Sequence, residues 1–315
     1  MVEHVALGID IGGTNTAFGL VSHDGKVVFE DTVATTYYAD PQDLVKHIYT
    51  SVQQSEHFEN ILGIGIGAPN GNAFTGNIEF APNLTWKGII PIASMFQDQF
   101  HRPALLTNDA NAAALGEHLF GCATDLKDFV TITLGTGLGS GVFINGDLVV
   151  GHQGLAGEYG HIRVVPEGRL CGCGRHGCLE TYVSSTGVVR SIHELDRASR
   201  WQSGLMKLQN PTALDVFRAK DAGDLFAKEI IEFTAETLGS ALADFAAFSN
   251  PKAFILFGGI AQSGDEFAKK VKYYLEKNAL KIYQDQIEIR ISHLHDKNAA
   301  VLGTAASLFW KAVKK

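Results

Sequence analysis

The chain has 315 residues, 45% of them hydrophobic and 19% charged, and carries a formal net charge of −8. That length allows two domains or one large one, and the composition is that of a folded chain rather than a disordered one. The acidic balance argues against a nucleic-acid binder, which needs a basic field, but not against a nucleotide held by backbone N–H groups and a cation.

The N-terminal residues show no basic, apolar leader, and no stretch approaches the roughly 18 apolar residues of a membrane span. The expectation is a cytoplasmic protein with no membrane partner. Val5–Asp10 reads as a buried strand ended by Gly12-Gly13. Asn15–Val21 and Lys26–Ala34 alternate as strands around the turn His23-Asp24-Gly25. Asp40-Pro41 opens a helix to about Gln54, with Asp as N-cap, Pro in the first turn, and Leu44, Ile48 and Val52 on one face. Ile61–Ile66 is a strand carrying glycines. Ala104–Thr107 is another, followed by an Ala-rich helix from Ala110 to about His118.

The order then starts again. Phe129–Leu134 is a buried strand ending in Gly135-Thr136-Gly137. Val142–Ile144 and Leu148–Val150 flank the turn Asn145-Gly146, a strong hairpin signal. Strand, Gly-rich turn and hairpin thus occur twice, and two halves of one architecture are implied. Gly187–Leu242 looks mainly helical. Phe254–Phe257 is a strand ending in Gly258-Gly259, Ile287–Ser292 is a late strand, and Ala299–Val313 is a closing helix.

Two glycine-rich turns carry phosphate chemistry. In Asp10-Ile11-Gly12-Gly13-Thr14 the glycines let backbone approach a phosphate, Thr14 can donate a hydroxyl, and Asp10 could hold Mg²⁺ through water. The second runs from Gly135 through Thr136 and Gly137 to Gly141. Neither is a Walker loop, since no Gly-Lys-Ser/Thr follows. The plain alternative is that such glycines only make tight turns. Their equivalent places in a repeated unit favour a nucleotide between the halves.

Cys171, Cys173 and Cys178 crowd into one run, with His161 ten residues before it. Three thiolates and an imidazole make a closed tetrahedral Zn²⁺ set of the structural kind. His176, inside the run, is a rival fourth ligand. Cys122 reads as an ordinary buried thiol.

Asn108-Asp109 stands between a strand end and a helix. Asp109 could take a proton from an attacking hydroxyl, or simply cap the helix. Glu158, His161 and Glu180 flank the cysteine run. They suit the holding of vicinal hydroxyls, or the orienting of the metal ligands, and the two roles are compatible.

Asp10–Thr14, Pro82-Asn83-Leu84, Asn108–Glu117, Gly135–Gly141, Gly157–His161, Cys171–Glu180 and Gly258-Gly259 together resemble the ROK family of bacterial sugar kinases, within the actin–hexokinase–Hsp70 ATPase superfamily. The resemblance implies an α/β, two-lobed, actin-like ATPase (ribonuclease H-like) fold with a cleft between the lobes. Residues 1–120, completed by helix 299–315, would form the small lobe, and residues 121–298 the large lobe with the zinc loop. It also implies Mg-ATP and a hexose as ligands and a structural Zn. Asp109 would be the catalytic base. Asn83, Asn108, Asp109, Glu158, His161 and Glu180 would hold the sugar. Asp10, Gly12, Gly13, Thr14, Thr136, Gly137, Gly258 and Gly259 would meet the nucleotide. His161, Cys171, Cys173 and Cys178 would hold the metal.

The pattern looks most like the glucokinases of that family, so phosphorylation of the glucose 6-hydroxyl is expected. An N-acetylglucosamine or N-acetylmannosamine kinase is the alternative. One departure bears on this. Where many relatives have glycine after Gly67-Ala68-Pro69, this chain has Asn70, which either adds a sugar contact or reshapes the loop. Sugar-responsive repressors of the family carry an N-terminal helix-turn-helix, for which Asp10 leaves no room. The resemblance also implies a homodimer, for which the helical segment Gly187–Leu242 could supply an interface.

Overall fold

The computed structural model describes residues 4–195, 201–294 and 299–313. They form two compact units: residues 1–125, 148–156 and 294–315, and residues 126–147 and 157–293. The segment 148–156 therefore belongs with the first unit, although it follows the second hairpin in sequence. Residues 196–200, within the span expected to be helical, and 295–298 lie outside the described residues.

In the first unit, β1 (Val5–Ile11), β2 (Asn15–Ser22) and β3 (Val27–Ala34) form an antiparallel meander. Helix α1 (Pro41–Gln53) follows, and the Asp40 side chain caps it by accepting from the Gln42 N–H. Strand β4 (Ile61–Gly67) pairs parallel with β1. A small sheet of β5 (Gly71–Asn72), β6 (Asn77–Glu79) and β7 (Ile89–Ile90) leads to α2 (Ile92–Phe100). Strand β8 (Ala104–Thr107) pairs parallel with β4, and α3 (Asp109–Phe120) leaves its end. The sheet order is β3-β2-β1-β4-β8.

The second unit repeats this plan. Strands β9 (Phe129–Leu134), β10 (Leu138–Ile144) and β11 (Asp147–Leu148) come first. Asn145 and Gly146 both have positive φ, +55° and +78°, as the two-residue hairpin turn requires. Helices α4 (Glu180–Val183), α5 (Ser185–Leu195), α6 (Ala213–Asp221) and α7 (Leu225–Ser249) follow. Then come β12 (Ala253–Phe257), α8 (Asp265–Asn278) and β13 (Glu288–Ile291). The order β11-β10-β9-β12-β13 places parallel strands β12 and β13 where β4 and β8 stand in the first sheet.

Helix α9 (Ala299–Val313) returns to the first unit and packs on β1, β4 and α3. The strand glycines explain how it gets there. A Cβ on Gly65 would lie 1.9 Å from the Thr304 carbonyl oxygen, and one on Gly8 would lie 2.3 Å from that of Val301. The opposite face of the sheet buries Leu7, Ile9, Phe18, Ile64 and Ile66 against Leu44, Ile48 and Phe96. Each such fully buried side chain contributes roughly 1.5–3 kcal/mol. In the second unit Phe129 and Phe143 stack at 4.6 Å, and Phe254 and Ile255 of the neighbouring strand are fully buried.

Register sets the functional edges. Asp10 is level with Gly67, and Gly67 with Thr107. Three parallel strands of the first unit thus end together, delivering Asp10, Ala68 and Asn108-Asp109 to one edge. In the second unit Thr133 is level with Phe257, so the turn after β9 and Gly258 after β12 share an edge. Carboxyl ends of parallel strands are where open α/β sheets take ligands.

Candidate active site and metal centre

The turn at residues 12–14 joins β1 to β2 and is closed by a 2.9 Å bond from the Gly12 N–H to the Asn15 carbonyl. Gly13 is fixed by crowding: a Cβ there would stand 2.4 Å from the Asn83 carbonyl oxygen. The first phosphate turn and the Asn83 loop are therefore in backbone contact, and Thr14 and Asn83 are both exposed.

Asn108, not Asp109, caps α3. Its Oδ1 accepts from the Asn111 N–H at 2.7 Å. Capping is thus not the task of Asp109, whose Oδ1 accepts from the next N–H, Ala110, at 2.8 Å. The side chain of Asp109 is accessible, yet surrounding protein displaces enough water to lift its carboxyl above the ordinary range. Asp10 is half-buried at the end of β1. Burial first, and the charge of Asp109 second, raise its carboxyl to about 7. A carboxylate held up by burial and by a like charge is one that a divalent cation relieves, so Asp10 fits a cation-holding role.

Asn70 resolves the loop after β4. It adopts φ +53°, and its Nδ2 donates to the carbonyls of Glu79 at 3.0 Å and Phe80 at 3.4 Å. Its side chain shapes its own loop.

In the second unit the glycine-rich segment is shorter than its sequence suggests. The turn is confined to Gly135–Gly137, and residues 138–141 already belong to β10. The loop expected to reach Gly141 is half strand because Leu138 and Ser140 are buried on the sheet and pair with β9. The Ser140 hydroxyl donates to the Gly157 carbonyl and accepts from the Tyr159 N–H at 3.2 Å, which anchors the Glu158–His161 turn on β10. This residue was missed as an organiser because a serine among glycines reads as loop. Gly258, at φ +99°, closes over the Leu134 carbonyl, to which a Cβ would come within 2.8 Å. Gly259 follows in open space.

His161, Cys171, Cys173 and Cys178 converge, with their ligand atoms all within 4.8 Å of one another. Cys173 Sγ and Cys178 Sγ are 3.6 Å apart, as are Cys171 Sγ and His161 Nδ1. These are edges of a tetrahedron that a metal of Zn²⁺ size would fill. The rival His176 stands outside the cluster, its Nδ1 3.0 Å from the Gly168 carbonyl. Burial raises the Cys171 and Cys178 thiols. Burial acts the same way on Cys173, but hydrogen bonds involving Arg175 and the two other cysteines outweigh it and bring this thiol to about 6. Cys122 is only half-buried, and its thiol donates to Glu117 at 3.3 Å.

Two carboxylates frame the imidazole. Glu158 Oε2 is 3.9 Å from His161 Nε2, and Glu180 Oε1 is 3.8 Å from Nδ1. Glu180, at the start of α4, also accepts from the Cys171 thiol at 3.1 Å and from the Leu138 N–H at 3.4 Å. A Cβ on Gly137 would lie 2.7 Å from its Oε2. The cysteine cluster and the Gly135–Gly137 turn therefore meet at Glu180.

A family model described as the ROK family matches residues 6–311. The chain belongs to the ROK family. Among its relatives is a glucokinase of Halalkalibacterium halodurans, 36% identical over 313 residues, covering 96% of this chain and 94% of that protein. A solved ROK family glucokinase of Streptomyces griseus, in complex with glucose and AMPPNP, superposes with a TM-score of 0.78 at 31% identity, covering 96% and 98% of the two chains. A xylose repressor of Caldicellulosiruptor bescii is 30% identical over 95% of this chain and 77% of its own. The ROK chain described above has the two α/β units of the actin-like ATPases, and among its described residues no helix is long and apolar enough to cross a membrane.

Proposed function

We propose that this ROK protein transfers the γ-phosphoryl group of Mg-ATP to the 6-hydroxyl of glucose. The observation that carries the reading is the carboxyl pair of the first unit. Asp109, raised by desolvation, stands beside the Asp10 of the phosphate turn closely enough for its charge to be felt there. A base lifted toward neutrality is the better acceptor for a hydroxyl proton.

In this reading Asp109 takes the proton as the 6-oxygen attacks phosphorus, and the bond to the ADP oxygen breaks in line. The backbone N–H groups at Gly13, Thr14, Thr136 and Gly137 cradle the phosphates, while Gly12, its N–H bonded to the Asn15 carbonyl, shapes the turn, and Gly258-Gly259 leave space for the adenosine. Neither turn holds a lysine. Mg²⁺, which Asp10 would hold, supplies the charge that a lysine would otherwise provide. Asn83, Asn108, Glu158, His161 and Glu180 hold sugar hydroxyls. Asn108 contributes through its amide nitrogen, because its oxygen is spent on the cap.

Zinc suits the three thiolates and one imidazole, and its part is to fix the loop between His161 and Glu180. With Nδ1 on the metal side, His161 keeps Nε2 for the sugar. The free thiols and the ATP requirement suit the cytoplasm.

The test is a panel of sugars with ATP. Glucose should show the highest kcat/KM, with product phosphorylated at the 6-position. Preferential turnover of N-acetylglucosamine or N-acetylmannosamine would replace glucose within the same mechanism. Absence of turnover with every hexose, despite bound metal, would sink the kinase reading.

A further inference from the structure

Arg169 lies two residues before Cys171 and takes no part in the chemistry above, yet it is only 6% exposed. Its side chain is fully engaged. Nε donates to Glu194 Oε2 at 2.7 Å. Nη1 donates to the carbonyls of Thr181 at 2.6 Å and Gly187 at 3.0 Å, and Nη2 to Ser191 Oγ at 2.9 Å. The guanidinium also stands 4.5 Å from the centroid of the Tyr182 ring, whose hydroxyl accepts from the Arg169 N–H at 2.9 Å. Replacing a buried ion pair by apolar side chains of similar volume is often neutral or stabilising, so stability alone does not account for a buried arginine.

The geometry here is that of the α4–α5 junction. Thr181 follows Glu180, and Gly187 lies in the first turn of α5. Between these two clamped carbonyls, the Ser185 N–H donates to the Gly135 carbonyl at 2.9 Å, and Thr186 Oγ1 to the Thr136 carbonyl at 2.9 Å. The clamped segment thus begins at the carboxylate that faces the metal ligands and ends where it grips the second phosphate turn. Arg169 also meets the metal loop directly, since its carbonyl accepts from the Gly177 N–H at 2.8 Å.

We propose that Arg169 is a positioning residue. By fixing the α4–α5 junction it sets Glu180 and the Gly135–Gly137 turn in one register, so that the sugar and nucleotide contacts of the second unit share a single brace. The planar fork is essential to this. A lysine ammonium cannot reach two carbonyls, a carboxylate and a hydroxyl from one place. The inference rests on the sugar-kinase reading for what the braced groups bind, but not for the brace itself.

Three variants of the full-length, metal-loaded protein test it. Arg169→Lys keeps the charge and loses the fork. Thr186→Val keeps the shape of an exposed residue and removes the donor to the turn, together with its contact to the Ser184 hydroxyl within the same segment. Glu194→Gln weakens the ion pair while leaving both carbonyl contacts. Arg169→Lys should raise KM for both sugar and ATP about five-fold or more, with kcat changed much less, as loss of ground-state positioning predicts. Thr186→Val should raise KM for ATP about two- to five-fold and leave that for sugar unchanged. Glu194→Gln should lower Tm and leave both KM values unchanged.

Hydrogen exchange reads the brace without activity. The amides of Leu138 and Ser185 should exchange faster in Arg169→Lys than in Glu194→Gln. If Arg169→Lys lowers only Tm, or if Glu194→Gln moves the KM values as far, Arg169 is merely structural and the proposal fails. Should Arg169→Lys not fold, an unchanged KM for ATP in Thr186→Val overturns it. If the parent protein phosphorylates no sugar, the kinase reading fails, while the exchange comparison still decides the brace.

Discussion

The two glycine-rich turns occupy equivalent places in two sheets of the same strand order, yet different groups hold them. In the first unit the turn after β1 is pressed against a backbone carbonyl, that of Asn83, and Asp10 before it has its carboxyl raised by burial and by the charge of Asp109, itself raised by desolvation. In the second unit the Ser185 N–H and the Thr186 hydroxyl hold the turn after β9, Glu180 accepts from the Leu138 N–H just beyond it, and a buried cation backs the segment. The repeated sheet supplies strand ends and N–H groups at both places. The two places differ in what the connecting segments bring there: two carboxyl groups of raised pKa in one unit, and a cluster of three cysteines and a histidine beside buried Arg169 in the other.

The sharpest way to break this contrast is to remove the base. Asp109→Asn should leave the fold and sugar binding nearly intact and lower kcat by about 10² or more. Turnover near that of the parent would move the base elsewhere. Next in size is the metal. Cys178→Ser, or chelation of the parent protein, should reduce metal from about one ion per chain and raise KM for sugar by roughly ten-fold or more, because one segment carries both sites. Metal analysis beside kinetics checks this, and an unchanged sugar affinity in metal-free protein would separate the loop from the sugar site.

The glycines come third, and they compare the units directly. Gly13→Ala meets a backbone oxygen, which cannot swing away, whereas Gly137→Ala meets the end of a glutamate, which can. The first should therefore cost more kcat/KM, by roughly ten-fold against a few-fold for the second. Equal losses would mean that the Asn83 segment yields as readily as a side chain.

The smallest effect is on pH dependence. The folded-state pKa of Asp10, about 7, lies above its unfolded value of 3.8. Its contribution to stability is therefore fully present below about 3.8 and is lost as pH rises through about 7. Without Mg-ATP, the Tm of the parent should fall between pH 5.5 and 8 by more than that of Asp10→Asn. Parallel Tm profiles for the two proteins would remove Asp10 as the source. With Mg-ATP bound the difference should shrink, because the cation requires the ionised form.

Much of this was legible in the sequence because it depends on local rules. Asp40-Pro41 announced α1, Asn145-Gly146 announced the second hairpin, and the 299–313 helix was bounded by its own apolar pattern. The spacing of Cys171, Cys173 and Cys178 made a metal loop readable without coordinates, since three soft ligands within eight residues have few other uses. Local rules also misled. Leu138–Gly141 looked like loop because glycines hide strand character, and pairing with β9 overrode that impression. The segment 148–156 joined the first unit although nothing in its composition distinguishes it.

The sequence alone determined the repeated strand–turn–hairpin plan, the metal-binding string and the acidic residues available for chemistry, because each is encoded within a few neighbouring residues. Only the tertiary structure decided which histidine joins the cysteines, that Asn108 rather than Asp109 caps α3, and that Arg169 lies buried at the α4–α5 junction. Those outcomes turn on distances between residues far apart in the chain and on how much water each group keeps, and neither quantity exists until the sheets and their connections have packed.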